Sequence, residues 1–331
     1  MNADAPPPAP SVEEPAPTAE VSLLARLRRT FKPRNVEEPI DYYWHRPLAA
    51  LLVEGIKDWP VTPNQVTLAS GFLSVLAGVA LTLGALRSPW FAALGGTLLL
   101  GSIVLDCADG QLARLRGTSS PVGRALDGFI DILAPLCVFH GMVFFLLAQG
   151  YAHAFVWPLG LASAMSLLWH AQVYDVMKNV HLHASSPTFS LGGPTLLTPE
   201  AIARFVDDYA KNGERMYAFL MRVFGAWTSS QLGALRPWLE PARTPRNELE
   251  RTLYLRFFAR PMAVLTWLGF GTHLFVLTVA AWLAPLDPRA IVAAWLVILV
   301  PMNLACGWFV LTQTGRIAAF ERALAVERSP A

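Results

Sequence analysis

Five long stretches of this chain, at 59–86, 88–105, 132–174, 261–286 and 290–315, hold no Asp, Glu, Lys or Arg, and nothing else in the sequence constrains the fold as strongly. A helix that crosses a bilayer takes about 20 mostly apolar residues. The stretch at 132–174 is long enough for two, with a natural turn at Gln149-Gly150-Tyr151. The expected fold is therefore an all-α integral membrane protein with spans at 64–86, 90–112, 122–148, 153–176, 257–284 and 288–313. Its charged fraction of 15% lies well below the roughly 25% of soluble domains, which excludes a disordered chain, a collagen-like chain and a nucleic-acid-binding domain over most of the length.

The flanks read differently. Residues 1–20 hold six prolines and four acids without an apolar core, so they resemble a disordered tail rather than a secretory signal. At 21–34, Leu23, Leu24, Leu27 and Phe31 share a helical face away from Arg28, Arg29 and Lys32, the pattern of a basic juxtamembrane helix. A second helix is expected at 42–58, with Thr62-Pro63-Asn64 capping the first span. The domain plan is a basic tail at 1–40, a six-helix membrane domain at 41–315 that carries a charged insertion at 177–256, and a tail at 316–331. Within the insertion, 199–224 is helix-like. Every basic residue except Arg87 and Arg289 falls on one side of the six-span plan. Positive-inside bias then puts both termini in the cytosol and the protein in the cell (inner) membrane. The net charge of +2 implies no polyanionic partner, and three scattered cysteines make no disulfide or zinc framework.

Charged groups within spans are costly and mark function. Span two ends in Asp106-Cys107-Ala108-Asp109-Gly110-Gln111-Leu112-Ala113-Arg114, and span three begins with Gly123-Arg124-Ala125-Leu126-Asp127-Gly128-Phe129-Ile130-Asp131. Asp106 with Asp109, and Asp127 with Asp131, each share one helical face, and the short connection makes the helices antiparallel neighbours. Four carboxylates so placed repel unless cations join them, and oxygen ligands suit Mg²⁺, Mn²⁺ or Ca²⁺ rather than zinc. Two ions about 4 Å apart could clamp a pyrophosphate. Gly110, Ala113, Gly123 and Gly128 leave room for a nucleotide, Arg114 offers a planar cation to phosphate, and Ala125 and Gly128 also fit helix packing. The chemistry indicated is metal-assisted phosphoryl transfer.

These residues match D-x2-D-G-x2-A-R-x8-G-x3-D-x3-D at every specified position, and the chain resembles the CDP-alcohol phosphotransferase (phosphatidyltransferase) family. The six-span plan and the Pro63-Asn64-Gln65-Val66-Thr67 start of span one extend the likeness over most of 60–315, the long insertion excepted. The resemblance implies that Asp106, Asp109 and Asp127 are the chief ligands of Mg²⁺ or Mn²⁺, with two ions expected and Asp131 beside them. It implies that Asp131 is the general base, that Gly110, Ala113, Arg114 and Gly123 line the cytidine diphosphate pocket, and that CMP leaves as the acceptor hydroxyl attacks. The partners implied are a CDP-linked donor, with CDP-diacylglycerol favoured over a soluble CDP-alcohol, an alcohol acceptor and membrane lipids. A homodimer is common in such proteins.

Weaker signals surround this motif. Asn64 and Thr67 reach toward the nucleotide or serve the helix cap. His170, Tyr174 and Lys178 form a stripe that reads as interface anchoring or as an acceptor-pocket wall. His181 and His183 read as solvated loop residues, and His140, His153 and His273 carry no chemistry. Arg251, Arg256 and Arg260 read as positive-inside charge, with lipid phosphate or a phosphorylated acceptor as the alternative. Two other classes compete. An intramembrane prenyltransferase would release pyrophosphate and leave the Gly-x2-Ala-Arg spacing unexplained. A divalent-cation transporter needs acids along a path rather than at one end.

Overall fold

In a computed structural model the protein is described over residues 31, 34–118, 120–185, 199–239 and 247–328, and among these no strand occurs. The expected tail at 1–20 and nearly all of the basic helix at 21–34 lie outside the described residues. The first helix, α1, opens with a π-turn at Asp41–His45 and continues over Arg46–Ile56. It is followed by α2 (Pro63–Leu86), α3 (Trp90–Arg116), α4 (Pro121–Ala148) and α5 (His153–Ser185). Next come α6 (Pro199–Lys211), α7 (Arg215–Leu239), and α8 (Glu248–Leu265), which a 3-10 turn at Thr266–Leu268 joins to α9 (Phe270–Leu283). The chain closes with α10 (Arg289–Val297), a π-turn at Ile298–Met302 and α11 (Asn303–Arg328).

Among the described residues, six helices are long and apolar enough to cross a membrane, in the order the charge-free blocks predict. Several run further than those blocks. The fourth continues to Leu182, the fifth starts at Glu248 and the sixth reaches Glu327, because charged residues with good helix propensity prolong each apolar helix. Large apolar side chains such as Phe72, Leu86, Leu304 and Leu311 stand exposed, as a lipid-facing surface requires.

Local signals set the helix ends. Thr62 and Gln65 form a reciprocal capping box, the Gln65 N–H donating to Thr62 Oγ1 at 3.3 Å and the Thr62 N–H to Gln65 Oε1 at 2.9 Å, with Pro63 in the first turn. Gly117 ends α3 in the left-handed region at φ 64°, and Ser120 caps α4 by accepting the Gly123 N–H at 3.0 Å. The turn between is too short for anything but antiparallel packing.

The centre of the bundle is α2, lying between α3 and α4. A Cβ on Gly78 would sit 2.5 Å from the Cys137 carbonyl oxygen, and one on Gly141 would sit 2.6 Å from that of Gly78, so α2 and α4 meet backbone to backbone. Ser74 and Ser102 hydrogen-bond at 2.6 Å between α2 and α3. Around them Leu81, Leu99, Met142, Phe145, Leu146 and Trp295 are fully buried.

The segment before α1 is plugged into the bundle. Arg46 pairs with Glu37 at 2.7 Å, both buried. Glu38 reaches the start of α9, accepting the Thr272 N–H at 2.7 Å, the Thr272 hydroxyl at 2.8 Å and the Gly271 N–H at 3.3 Å. Burial, with Asp41 alongside, pushes the Glu38 carboxyl up to about 8. Arg116 ties the end of α1 to α3, donating to the carbonyls of Lys57 and Trp59 at 2.8 Å and to that of Val61.

The insertion is a helical hairpin. Helices α6 and α7 turn at Gly213 (φ 80°) and pack together on the start of α4, where Ile202, Met221 and Ala125 share a buried cluster. The helix expected at 199–224 is thus two, broken where Asn212-Gly213 favours a turn.

Candidate active site

The four acids of the motif lie at one end of the bundle, on the last turns of α3 and the first turns of α4. Oxygens of Asp106, Asp109 and Asp127 come within 4.8 Å of one another, two from one helix and one from its antiparallel neighbour. Asp106 lies within hydrogen-bond reach of Asp127. Asp131, one turn along α4, stands beside this trio in the field of Asp127, Asp109 and Asp175, with the Lys178 ammonium facing it. An all-oxygen set of this spacing is of the kind that fits a hard divalent ion, which would relieve the mutual repulsion of the carboxylates.

One further residue enters the site from α2. Thr67, only 3% exposed, donates its hydroxyl to Asp109 Oδ2 and also approaches the Pro63 carbonyl at 3.1 Å. That orients one carboxylate from behind, the support that metal-ligating side chains usually have. The sequence places Thr67 near the site, but nothing in it distinguishes this bond from a cap or a nucleotide contact.

The residues expected to border a nucleotide lie near the acids. Gly110 and Ala113 lie on the α3 face that carries the acids, and Arg114, exposed, bends back so that a Cβ on Gly110 would meet its Nη1 at 3.3 Å. Gly123 faces Asn64, whose Oδ1 would lie 2.9 Å from a Cβ there. The bare backbone at Gly123 is what lets Asn64 and Ser120 come this close.

The stripe on α5 differs from interface anchoring. His170 is fully buried, bonded to His273 at 3.1 Å and to Asn303 at 3.2 Å. Tyr174 donates its hydroxyl to the Val36 carbonyl at 2.7 Å. Lys178, paired with Asp175 at 2.6 Å, acts electrostatically on Asp131, and the Asp175 side chain is half-exposed. His273, assigned no chemistry, thus has a structural partner. The reading of His181 and His183 as loop residues is corrected: both lie on α5, and His181 is 2% exposed among apolar neighbours because the helix runs nine residues past the last expected span position. The side chain of His183 lies outside the described residues. Arg251 pairs with Glu248 at 2.6 Å on the exposed start of α8, as ordinary flanking charge does.

Comparison with known proteins agrees with this geometry. Residues 60–204 match the family model of CDP-alcohol phosphatidyltransferase. The bifunctional IPC transferase and DIPP synthase of Rubrobacter xylanophilus is 38% identical over 85 residues, 26% of this chain and 18% of that protein. Cholinephosphotransferase 1 of Gallus gallus is 31% identical over 134 residues, 38% of each chain. The chain therefore spans well under half the length of these relatives.

Proposed function

We propose that this protein, whose residues 60–204 match the CDP-alcohol phosphatidyltransferase family model, transfers a substituted phosphate from a CDP-linked donor to an alcohol hydroxyl, releasing CMP, in phospholipid biosynthesis. The observation that carries this reading is the convergence of Asp106, Asp109 and Asp127 from two antiparallel helices inside the family-matched segment. A divalent ion, Mg²⁺ or Mn²⁺, bound by these oxygens supplies charge neutralisation for the donor's pyrophosphate and the departing CMP. Arg114 meets donor phosphate oxygens across Gly110, and Asn64 and Gly123 border the nucleotide. Asp131 accepts the proton of the acceptor hydroxyl as its oxygen bonds to the β-phosphorus, while the bond from that phosphorus to the CMP oxygen breaks. The two-ion complement and Asp131 as a fourth ligand belong to the same proposal, as does a homodimer.

The donor we favour is CDP-diacylglycerol, since the acids sit at the polar end of the spans, where a lipid headgroup lies. The basic flanks support a reading in which that end, with both termini, lies on the cytosolic side of the cell membrane. The likeness to a cholinephosphotransferase supports the second reading, a soluble CDP-alcohol donor with a lipid acceptor. Purified protein offered labelled CDP-diacylglycerol, CDP-choline, CDP-ethanolamine and CDP-inositol with a panel of acceptors decides between them. The active pair releases CMP, and chelation by EDTA stops it. Release of pyrophosphate, or no turnover with any pair, would overturn the assignment.

A further inference from the structure

The family-matched segment ends at residue 204, so nearly all of the α6–α7 hairpin lies beyond it. Its two helices differ in charge. Over Arg215–Leu239, α7 holds Arg215, Arg222 and Arg236 and no acid, and between Met216 and Leu235 the single charge is Arg222. Helix α6 carries Glu200, Asp207 and Asp208 beside Arg204 and Lys211. The faces of α7 also differ. Ala218 and Met221 are buried, a Cβ on Gly225 would sit 2.8 Å from Cγ2 of Ile202 on α6, and Phe224 stands over Gly128 of α4. On the opposite face Met216, Phe219, Val223 and Trp227 follow one another at helical spacing. Met216 is 68% and Phe219 54% exposed, and Val223 and Trp227 are half-buried.

The depth of α7 is fixed by what it touches. Phe224 meets Gly128, one residue before Phe129, whose ring is 40% exposed at the start of the third span. Further along, Leu235 is buried in one cluster with Tyr174, Met177 and Phe309. Phe309 belongs to a charge-free block, and Leu311, two residues nearer the end of that block, is 83% exposed. Lipid that covers Leu311 extends past the level at which Leu235 is anchored. Helix α7 therefore runs along the edge of the hydrocarbon, and Thr228, Ser229 and Ser230 make it too polar to cross.

We propose that α7 is an interfacial helix, with Met216, Phe219, Val223 and Trp227 seated in the bilayer surface and Arg215 and Arg222 meeting the phosphates of anionic phospholipids. Charge and depth favour lipid over a protein partner: the helix offers cations without acids, at the level where lipid phosphates lie. The acids of α6 stay on the water side. The hairpin, expected from its sequence as a charged insertion, is then half a membrane element. This inference does not rest on the transfer reaction proposed above.

The test uses the full-length protein in vesicles of phosphatidylcholine and anionic phosphatidylglycerol. Phe219→Cys, Val223→Cys and, on the exposed side of α6, Asp208→Cys are labelled with bimane. The unsubstituted protein, whose Cys107 and Cys306 are buried, gives the background. Phosphatidylcholine brominated on its acyl chains should quench the labels at 219 and 223 about threefold or more beyond the label at 208, since an interfacial face sinks to the acyl boundary. Aqueous iodide should give the reverse order. At equal mole fraction, brominated phosphatidylglycerol should quench the label at 223 about twofold more than brominated phosphatidylcholine, and Arg215→Gln with Arg222→Gln should abolish that excess. Lipid quenching at 219 and 223 no stronger than at 208 would overturn the seat. So would shielding from lipid and iodide alike, which a second copy or another protein on this face would produce. Equal quenching by the two lipids would overturn the anionic contact. Both outer labels read one surface, so if one variant does not fold the other decides.

Discussion

Thr67 on α2 holds Asp109 on α3 by donating its hydroxyl to the carboxylate, although the two residues are 42 positions apart. The carboxylate therefore meets its site already oriented. Removing the donor leaves a buried acceptor unpaired, at a cost of about 1–3 kcal/mol. Thr67→Val, which keeps the shape, should raise the metal concentration for half-maximal CMP release by about 10-fold or more, in line with supporting contacts at other metal sites. A titration of Mg²⁺ against initial rate checks this, and an unchanged midpoint would remove Thr67 from the site.

Asp131→Asn keeps volume and hydrogen bonding while removing the proton acceptor. CMP release should fall by roughly 10²–10⁴-fold. Metal-dependent protection of the protein by the CDP-linked donor in a thermal-shift assay should persist. Turnover like that of the wild type would reject Asp131 as the base.

The Glu38 carboxyl is raised to about 8 by burial and by Asp41, from an ordinary value of 4.5. A carboxyl with a raised native value favours folding in its neutral form. Its contribution is complete below about pH 4.5, shrinks as the unfolded chain loses the proton, and is gone once pH has passed about 8. Melting temperature in detergent should therefore decline between pH 6 and pH 8, and Glu38→Gln should flatten that decline. An identical slope in the variant would show that other groups set it.

A methyl group on Gly78 has nowhere to go, since it would press on the Cys137 backbone. Gly78→Ala should destabilise the bundle by about 1–3 kcal/mol, as overpacked cores generally do. The measurable result is a lower melting temperature, whereas Gly55→Ala, with open space at its Cβ on a helix, should melt at or slightly above the wild type.

The parts of this architecture that were legible in the sequence are those that lipid makes expensive to disguise. Spans two and three declare themselves by the absence of charge, and Asp106, Asp109, Asp127 and Asp131 stand out because acids are rare at span ends and their three- and four-residue spacings fix a face. The contacts that sequence could not give are pairings between distant elements. His170 meets His273 at a separation of 103 residues, and Glu38 meets Thr272 at 234, with no periodic signal in either neighbourhood. The reach of α5 to Ser185 is hidden from the sequence for a different reason. Hydropathy marks where lipid ends, not where a helix does, so it assigns His181 to a loop although the residue is buried on the helix.

The guanidinium of Arg116 occupies the carbonyls that end α1 and belongs to the helix that carries Asp106 and Asp109. On its outer side α1 bares Tyr43, Trp44 and Leu51. The fin and the shaft that bears the chemistry are thus riveted at one end, and pinned along their length where Gln111 donates to the Arg46 carbonyl at 3.1 Å. Tilting the fin must shear these joints or swing the shaft, and a lysine at 116, with a single flexible ammonium in place of a planar fork, would make a looser joint.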